Sequence, residues 1–309
     1  MAVVRVAAAV ILRADGQVLL AQRPEGKPYA GYWEFPGGKL EAGETPRDAL
    51  VRELHEELGL TVRQASPWLT QRYTYPHADV ELDFFRVFAW SGEPVGHDGQ
   101  AFRWQTPGRF DVSPLLPANT MVLRALELPT VYGITRAAVV GTAAFLLRAR
   151  AALDRGLGMI EVRERAWAPE ALRALVDALQ ELAAPYGARI LLHGDDALAR
   201  AWGCAGVHWT AAQLAAATVR PAGLLVGASC RSADDIARAG ALGLDFAVLG
   251  PVRSTPSHPD AVPIGWDGFA RAVAATPLPV LALGGLARSD LPLAISHGAH
   301  GVALRRGAW

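Results

Sequence analysis

The chain has 309 residues, 51% of them hydrophobic and 19% charged, which favours two folded domains and excludes a disordered chain. Residues 1–128 carry 13 basic and 16 acidic side chains and residues 129–309 carry 17 and 14, so the formal net charges are −3 and +3. Neither charge indicates binding to a nucleic-acid polymer.

The cysteines and the amino terminus are typical of a cytoplasmic protein. Cys204 and Cys230 are the only cysteines; they are too few for a disulfide scaffold and form no CxxC pair, so we expect reduced thiols. The apolar start, residues 1–16, has no basic leading segment and predicts a core strand rather than a signal peptide. The sequence contains no run of about 18 apolar residues, so we expect no membrane span.

The first 128 residues alternate strands with two helices. Val3–Arg13 and Val18–Arg23 predict strands joined by a turn, and a Gly- and Pro-rich loop follows. Thr45 and Pro46 begin a helix whose apolar positions recur at helical spacing until Gly59 ends it. The remaining predicted elements are strands at Trp68–Tyr75, Val80–Trp90 and Phe102–Gln105 and a helix at Asn119–Glu127.

The pattern changes near Leu128 and Pro129. Beyond them, eight short apolar runs alternate with Ala- and Leu-rich helical segments, which predicts a (β/α)8 TIM-type barrel in residues 129–309. Because no helix remains after the eighth run, we expect the barrel to lack its last helix and its open flank to be covered by the first domain, by the 119–127 helix or by the second subunit of a homodimer. The predicted strands are Val131–Ile134, Met159–Val162, Arg189–Leu192, Gly206–His208, Leu224–Gly227, Phe246–Leu249, Val280–Leu283 and Gly301–Ala303.

Three carboxylates share one face of the first helix. Glu53, Glu56 and Glu57 stand at i, i+3 and i+4, and Glu44 lies nearby. Such a face is ordinarily solvated, but clustered hard oxygen ligands beside a Gly-rich loop also suit Mg²⁺ or Mn²⁺.

The spacing around these glutamates decides between the two interpretations. Gly38, five residues, Glu44, seven residues and then Arg52–Leu60 resemble the Nudix signature at every defined position. The resemblance implies an α/β/α sandwich (α+β, with a mixed sheet) that cleaves phosphoanhydrides with a divalent metal. It implies that Arg52 orients the glutamates and Glu44 supports them. The metal ligands that it implies are Glu53, Glu56, Glu57, the Gly37 carbonyl and Asp98.

Outside the signature, the domain resembles MutT-type 8-oxo-dGTP diphosphatases, through Leu20–Arg23, Trp33–Lys39 and Pro117–Asn119. In that subfamily the asparagine after Pro-Ala reads the oxidised purine, although Asn119 could instead cap a helix. Phe35 would line the base pocket or belong to the core. Ala78 and Asp98 depart from the subfamily, which usually has arginine and glutamate there. The substrate-binding residues implied are Arg23, Phe35, Gly37, Gly38, Lys39 and Asn119.

Residues 129–309 resemble thiamine phosphate synthase and its thiazole-tautomerase relatives. The resemblance rests on Tyr132–Thr135, Val162–Arg165, Gly206–His208, Gly250–Val252, Thr255–Ser257, Leu283–Leu286 and Gly301–Ala303. Gly-rich turns after the last strands suit a phosphate. Arg163 and Arg165 could bind diphosphate or carboxylate, or could be surface charge. The phosphate-binding candidates are Arg163, Arg165, Gly284, Gly285 and Gly301.

The catalytic positions of these relatives are mostly replaced. His193-Gly194 stands for Asn-Asp after strand three, and Ala212-Gln213 stands where strand four is followed by an acidic metal ligand. His258 replaces a lysine, and Arg231 falls at the tautomerase histidine. Asp195 and Asp196 are out of register for a metal site, and His193 and His208 are expected to be structural. The barrel is therefore expected to be catalytically degenerate.

Three hypotheses follow. The first is a nucleotide-pool hydrolase that converts 8-oxo-dGTP to 8-oxo-dGMP and diphosphate and so prevents mutation. The second is a bifunctional hydrolase and thiamine phosphate synthase. The third is a hydrolase with a non-catalytic barrel that binds a phosphorylated ligand or oligomerises.

Overall fold

The computed structural model describes residues 3–97, 99–255 and 260–309. The chain divides into two compact units, Met1–Leu128 and Pro129–Trp309. The expected fold class is confirmed for both, a layered α/β unit with a mixed sheet and a closed parallel barrel. In the ranges described, no helix has the length and apolar character needed to cross a membrane.

The first unit is built on two sheets. The larger has the order β4-β1-β6-β5, with β1 parallel to β6 and the other pairs antiparallel, and the smaller has the order β3-β2-β7. The strands are β1 (Val4–Ile11), β2 (Val18–Gln22), β3 (Trp33–Glu34), β4 (Gly37–Lys39), β5 (Thr61–Tyr75), β6 (Ala78–Ser91) and β7 (Phe102–Gln105).

A helix covers each face of the larger sheet. In β1, Ala7 and Ala9 belong to the core beneath α1 (Pro46–Leu58), whereas Ala8 and Val10 belong to the core shared with α2 (Thr120–Ala125). Side chains of a strand alternate between its two faces, so one apolar strand supplies both cores. The three layers follow from this alternation.

Three elements differ from their predicted form. The loop before the Nudix signature contains the short strands β3 and β4, and β5 begins at Thr61 instead of Trp68. The glycines and prolines of this loop gave no strand pattern for β3 and β4. The mostly exposed start of β5 shows no regular alternation. The last helix is shorter than predicted, because Pro117–Asn119 form a 3₁₀ turn before α2.

The second unit is a closed barrel in which all eight strands are parallel, in the order β10-β11-β12-β13-β14-β15-β8-β9. Every predicted barrel strand is present, within three residues at each end. The strands are β8 (Val131–Ile134), β9 (Met159–Val162), β10 (Arg189–His193), β11 (Gly206–Trp209), β12 (Leu225–Cys230), β13 (Phe246–Leu249), β14 (Val280–Leu283) and β15 (Gly301–Leu304).

The barrel's helices lie between consecutive strands, and no helix follows β15 within the described residues. The residues after β15 instead fold back on the barrel. The Trp309 indole N–H donates to the Ile134 carbonyl over 2.9 Å, and its ring packs on Phe145. Part of the flank is therefore covered by the chain's own last residues, which the sequence did not predict. The helices are α3 (Ala137–Val140), α4 (Thr142–Asp154), α5 (Pro169–Ala183), α6 (Asp196–Ala201), α7 (Ala211–Ala216), α8 (Ala233–Ala241), α9 (Gly265–Val273) and α10 (Leu291–Ser296).

Both cysteine thiols lie in the barrel core. Cys204 is 6% exposed and Cys230 is 2% exposed. Burial raises the pKa of Cys204 to about 11 and that of Cys230 to about 12. The two thiols are unpaired core side chains, as expected.

A glycine in β12 allows the barrel interior to pack. A Cβ at Gly227 would lie 2.1 Å from Cζ of Phe246, whereas a Cβ at Gly240 in α8 would meet no atom within 4 Å. Gly227→Ala should lower the free energy of unfolding by about 1–3 kcal/mol through overpacking. Gly240→Ala, the control, should raise it by up to about 1 kcal/mol. Urea denaturation measures both, and equal effects would contradict this account of the interior.

Candidate active site

Helix α1 presents its glutamates on the side opposite its buried leucines. The helix begins where the Thr45 side chain accepts the backbone N–H of Asp48, and it ends at Gly59, whose φ is 67°. The leucines at 50, 54 and 58 are fully buried. The side chains of Glu53 and Glu57 are each 17% exposed, and that of Glu56 is 58% exposed.

Arg52 joins several carboxylates of this site. Its guanidinium donates to both oxygens of Glu44 over 2.8 and 2.9 Å, to Glu53 over 3.0 Å and to Glu56 over 3.1 Å. It also donates to the Lys39 carbonyl over 3.1 Å. One side chain therefore ties the helix to the loop that precedes it.

Glu44 is the carboxylate most strongly held. Hydrogen bonds from Arg52 and from the Glu41 backbone N–H, the latter 2.8 Å long, lower the pKa of Glu44 to about 2. The side chain is therefore ionised at neutral pH. It contacts Arg52 and the loop, which is the supporting position that the Nudix resemblance implies for it.

Two glycines bring the backbone of β4 against the glutamates. A Cβ at Gly38 would lie 2.1 Å from Cδ of Glu53, and a Cβ at Gly37 would lie 2.1 Å from the Ala7 carbonyl oxygen. The φ of Gly37 is 145°, which also disfavours other residues. Glycine at position 38 leaves the Glu53 carboxylate room beside the loop, and glycine at position 37 allows β4 to approach β1.

Glu57 is the most perturbed carboxylate on the helix. Burial raises its pKa to about 7, Glu53 and Glu34 raise it further, and Lys27 and a hydrogen bond to the Gly37 backbone oppose the shift. The Lys27 ammonium lies 4.0 Å from the Glu57 carboxylate. Negative charge at this position is costly unless a cation compensates it.

The three glutamates do not converge as the sequence predicted. One Arg52 nitrogen, Nη1, donates to both Glu53 and the exposed Glu56, and among the described residues no group of three or more His, Cys, Asp or Glu could hold a metal ion. Glu53 and Glu57 nevertheless supply two hard-oxygen ligands, and the Gly37 backbone makes a hydrogen bond with Glu57. Mg²⁺ commonly uses one or two protein carboxylates together with substrate phosphates, so these residues fit a divalent metal.

The predicted base pocket is lined by buried side chains. Phe35 is 3% exposed and packs edge-to-face on Phe84, so the predicted pocket residue also belongs to the core. Asn119 is 2% exposed, and its Nδ2 has no hydrogen-bond partner. The side chain makes no capping hydrogen bond to α2, so the helix-cap alternative is wrong.

Tyr75 and Glu34 belong to the same region and were missed from the sequence. Arg23 donates to both oxygens of Glu34 over 2.6 Å and to the Pro28 carbonyl over 2.8 Å. The Tyr75 hydroxyl is buried without a hydrogen-bond partner, in the field of Arg23 and Glu34 and near the Ala118 backbone. A tyrosine in an apolar strand pattern indicates core, so its polar atom gave no signal.

The other predicted residues of this site lie at its edge. The Lys39 side chain is exposed, and only its backbone carbonyl contacts Arg52. Ala78 begins β6 at the tip of the hairpin with β5. Asp98 lies outside the described residues, so its predicted roles as metal ligand and catalytic residue stay predictions.

The barrel has a cavity of about 1320 Å³ at the carboxyl ends of its strands. Arg163 and Arg165 line it, which argues against the surface-charge alternative, and Gly284 and Gly285 form a turn with φ of 108° and 65° in its wall. The remaining basic residues that line it are Arg231, Arg305 and Arg306.

Gly301 was predicted to bind phosphate, but it does not belong to the cavity. It is the first residue of β15, at the amino end of the strand, and it does not line the cavity. A Cβ there would lie 1.9 Å from the Thr130 carbonyl oxygen. The glycine is required by close approach of two backbones and not by a ligand.

The two histidines of the barrel interior are not isolated. His193 Nδ1 lies 2.6 Å from a Glu161 carboxylate oxygen, and His208 Nε2 lies 2.9 Å from the Ser229 hydroxyl. The Tyr132 hydroxyl lies 3.4 Å from His208 Nδ1. Glu161 was missed because it lies within the apolar run of β9, although a charged residue in a fully buried strand is itself a signal.

The replaced catalytic positions have structural roles where the structure describes them. Asp195 caps α6 by accepting the Leu198 backbone N–H over 2.8 Å, and Asp196 accepts the Trp209 indole N–H over 2.6 Å. Gln213 forms a capping box with Thr210. His258 lies outside the described residues.

Comparisons with known proteins match each unit separately. The NUDIX domain family matches residues 3–124, and the thiamine monophosphate synthase family matches residues 131–308. The chain belongs to both families. It is 40% identical to the 8-oxo-dGTP diphosphatase of Haemophilus influenzae over 40% of this chain and 91% of that one. It is 39% identical to the CTP pyrophosphohydrolase of Escherichia coli over 40% of this chain and 92% of that one. It is 31% identical to the thiamine-phosphate synthase of Acidithiobacillus ferrooxidans over 58% of this chain and 85% of that one.

The Nudix domain makes the chain an enzyme, a Nudix hydrolase that acts on phosphoanhydrides. Nudix hydrolases generally need a divalent metal. The synthase-like barrel is a second family fold within the same chain.

The buried Glu161 and His208 of the barrel are expected to make the protein less stable in acid. Burial raises the pKa of Glu161, but His208, His193 and Arg163 outweigh it and lower the pKa to about 2, from 4.5. Burial lowers the pKa of His208 below 6.5. Both groups take up protons more readily when unfolded, so stability falls as the pH drops below about 6.5 and falls again between about 4.5 and 2.

Urea denaturation of the full chain from pH 7.5 to pH 3 measures this dependence. In Glu161→Gln the loss below pH 4.5 should be smaller than in the native chain. An unfolding midpoint that does not change between pH 7 and pH 4 would contradict the assignment.

Proposed function

We propose that the Nudix domain hydrolyses a nucleoside triphosphate to the monophosphate and diphosphate, with Mg²⁺ or Mn²⁺ and with 8-oxo-dGTP as the favoured substrate. The observation that most directly supports this proposal is the pair of half-buried carboxylates, Glu53 and Glu57, against the Gly37-Gly38 backbone. The similarity to an 8-oxo-dGTP diphosphatase over 91% of that protein supports the substrate. The role would be sanitation of the cytoplasmic nucleotide pool, which protects DNA replication.

The chain's own residues position the reaction. Glu53 and Glu57, with the Gly37 carbonyl, would hold the metal, which when bound neutralises phosphate charge and lowers the pKa of the attacking water. Arg52 fixes the orientation of Glu53, and Glu44 keeps Arg52 in place. Phosphoryl transfer needs mainly such positioning and charge stabilisation.

Base selection rests on the buried pocket. The Asn119 amide can donate and accept on a purine edge, and its Nδ2 has no partner in the protein. Phe35 supplies an apolar surface in the same core. The likeness to a CTP pyrophosphohydrolase makes CTP the first competing substrate to test.

Glu53→Gln removes one anionic ligand and should lower diphosphate release with Mg²⁺ by at least about 10²-fold. The control is Glu93→Gln, an exposed glutamate of the same domain, which should retain native activity. Release of diphosphate and the melting temperature are measured on both variants. Full activity in a folded Glu53→Gln protein would refute the proposed chemistry.

Asn119→Ala should reduce the preference for 8-oxo-dGTP over dGTP by about 5- to 150-fold, the discrimination expected of one good base contact. Asn119→Asp keeps the acceptor and removes the amide donor, so it separates the two contributions. The kcat/KM of each protein is measured for 8-oxo-dGTP, dGTP and CTP. An unchanged preference in Asn119→Ala would mean that other groups read the base.

We propose that the barrel binds a phosphorylated ligand and does not make thiamine phosphate. Its cavity combines arginines with the Gly284-Gly285 turn, which suits phosphate oxygens. The positions of the synthase's acidic ligands hold other side chains, and the nearby Asp195 and Asp196 are engaged elsewhere.

Expression of the full chain in a thiamine-phosphate-synthase mutant tests the rival function. Because the acidic ligands are replaced, we expect no growth without thiamine, while a known synthase expressed at the same level restores it. Growth supported by the chain would establish the bifunctional alternative.

A further inference from the structure

Arginines from three separate strand ends surround the barrel cavity. Arg163 and Arg165 follow β9, Arg231 follows β12, and Arg305 and Arg306 follow β15. No ion pair or side-chain hydrogen bond within the described ranges neutralises the guanidinium groups of Arg163, Arg165, Arg231 and Arg306. Such a concentration of positive charge in one cavity is stabilised by a polyanion.

These arginines are close enough to repel one another. Burial lowers the pKa of Arg165, Arg163 and Arg305 lower it further, and the buried Glu161 carboxylate opposes them. Burial and the neighbouring Arg305 and Arg306 likewise lower the pKa of Arg136, which follows β8. The positive charges of these arginines therefore create one region of positive potential at the carboxyl ends of the strands.

The acidic side chains near the same strand ends are already engaged. Glu161 binds His193, and Glu164 accepts two backbone N–H groups, of Ala137 over 2.7 Å and Ala138 over 3.1 Å. Asp195 caps α6, and Asp196 accepts the Trp209 indole N–H. Asp260, which is exposed, is the only carboxylate that lines the cavity among the described residues. This donor set does not fit the divalent metal that a synthase would use.

We propose that the barrel binds the diphosphate group of its ligand through these arginines without a divalent metal. This rests on the proposed binding of a phosphorylated ligand. A planar guanidinium can form two parallel hydrogen bonds with phosphate, and several of them replace the charge that a metal would supply. The Gly284-Gly285 turn adds backbone N–H groups in the cavity wall.

Calorimetric titration of inorganic diphosphate into the full chain tests this, once in EDTA and once in Mg²⁺. We expect saturable binding in EDTA that is at least as tight as in Mg²⁺, because free Mg²⁺ competes for the diphosphate. Arg163→Ala and Arg165→Ala should each weaken it by about 10-fold or more. Arg173→Ala, an exposed arginine of α5 paired with Asp177, is the matched control and should bind as the native chain does.

The outcomes separate two claims, that the barrel binds a phosphorylated ligand and that it does so without a metal. Binding that requires Mg²⁺ and is lost in the Arg163→Ala/Arg165→Ala double variant would overturn metal independence and leave the phosphorylated ligand in place. No binding in either buffer would contradict both claims. Binding in EDTA that persists in the Arg163→Ala/Arg165→Ala double variant would place the diphosphate outside this cavity and overturn the assignment.

A different observation concerns two of the buried polar atoms of the Nudix domain that lack a hydrogen-bond partner. They are Nδ2 of Asn119, a residue 2% exposed, and the hydroxyl of Tyr75, a residue 8% exposed. Tyr75 packs in one apolar core with Phe35 and Ala118, next to Asn119 in the chain. Buried polar atoms are nearly always satisfied in folded proteins, so both are expected to find a partner in a ligand.

We infer that the Tyr75 hydroxyl is a second group that reads the base, together with Asn119. This rests on the proposed hydrolysis of a nucleoside triphosphate. Ala78 has no polar side chain to contact the base, whereas the Tyr75 hydroxyl lies beside the Ala118 backbone and can donate or accept. A site that hydrogen-bonds a polar group of its substrate discriminates strongly against an analogue that lacks it.

Tyr75→Phe removes only this oxygen, and Tyr73→Phe, on the neighbouring ring 4.6 Å away, is the control. We expect Tyr75→Phe to reduce the ratio of kcat/KM for 8-oxo-dGTP over dGTP by about 10-fold. The control should keep the native ratio. A native ratio in Tyr75→Phe would overturn the inference, whereas a native chain that hydrolyses neither nucleotide would refute the proposed function itself.

Discussion

The hydrolase site depends on the guanidinium of Arg52. It binds Glu44, Glu53 and Glu56 and the Lys39 carbonyl, so one cation joins the signature helix to the loop before it. Without this cation, the carboxylates on one helix face would repel one another. The same contacts leave Glu53 against the backbone of Gly38, where a substrate phosphate can approach.

Much of the fold could be predicted because buried elements have regular apolar patterns. Helix α1 begins and ends where Pro46 and Gly59 indicate, and the eight barrel strands are short apolar runs. The elements missed have no such pattern. Strand β3 has only two residues, β4 is Gly-Gly-Lys next to a proline, and β5 begins with mostly exposed residues.

The site was less predictable than the fold, since side-chain direction depends on contacts between elements. Helical spacing places Glu53, Glu56 and Glu57 on one face, but it does not show that Arg52 binds Glu53 and Glu56 or that Glu56 is 58% exposed. Asn119 could have capped a helix from its position alone, yet its side chain is buried and makes no cap. Glu161 interrupts the apolar run of β9, which is itself a signal, whereas nothing in the pattern at the end of β5 shows that the Tyr75 hydroxyl is buried.

The burial of the two barrel thiols has a consequence for their reactivity. With pKa values of about 11 for Cys204 and about 12 for Cys230, almost none of either is thiolate at neutral pH. Peroxide attacks the thiolate and not the thiol, so neither cysteine readily enters the sulfenic acid series. Burial thus protects both cysteines of the barrel from peroxide.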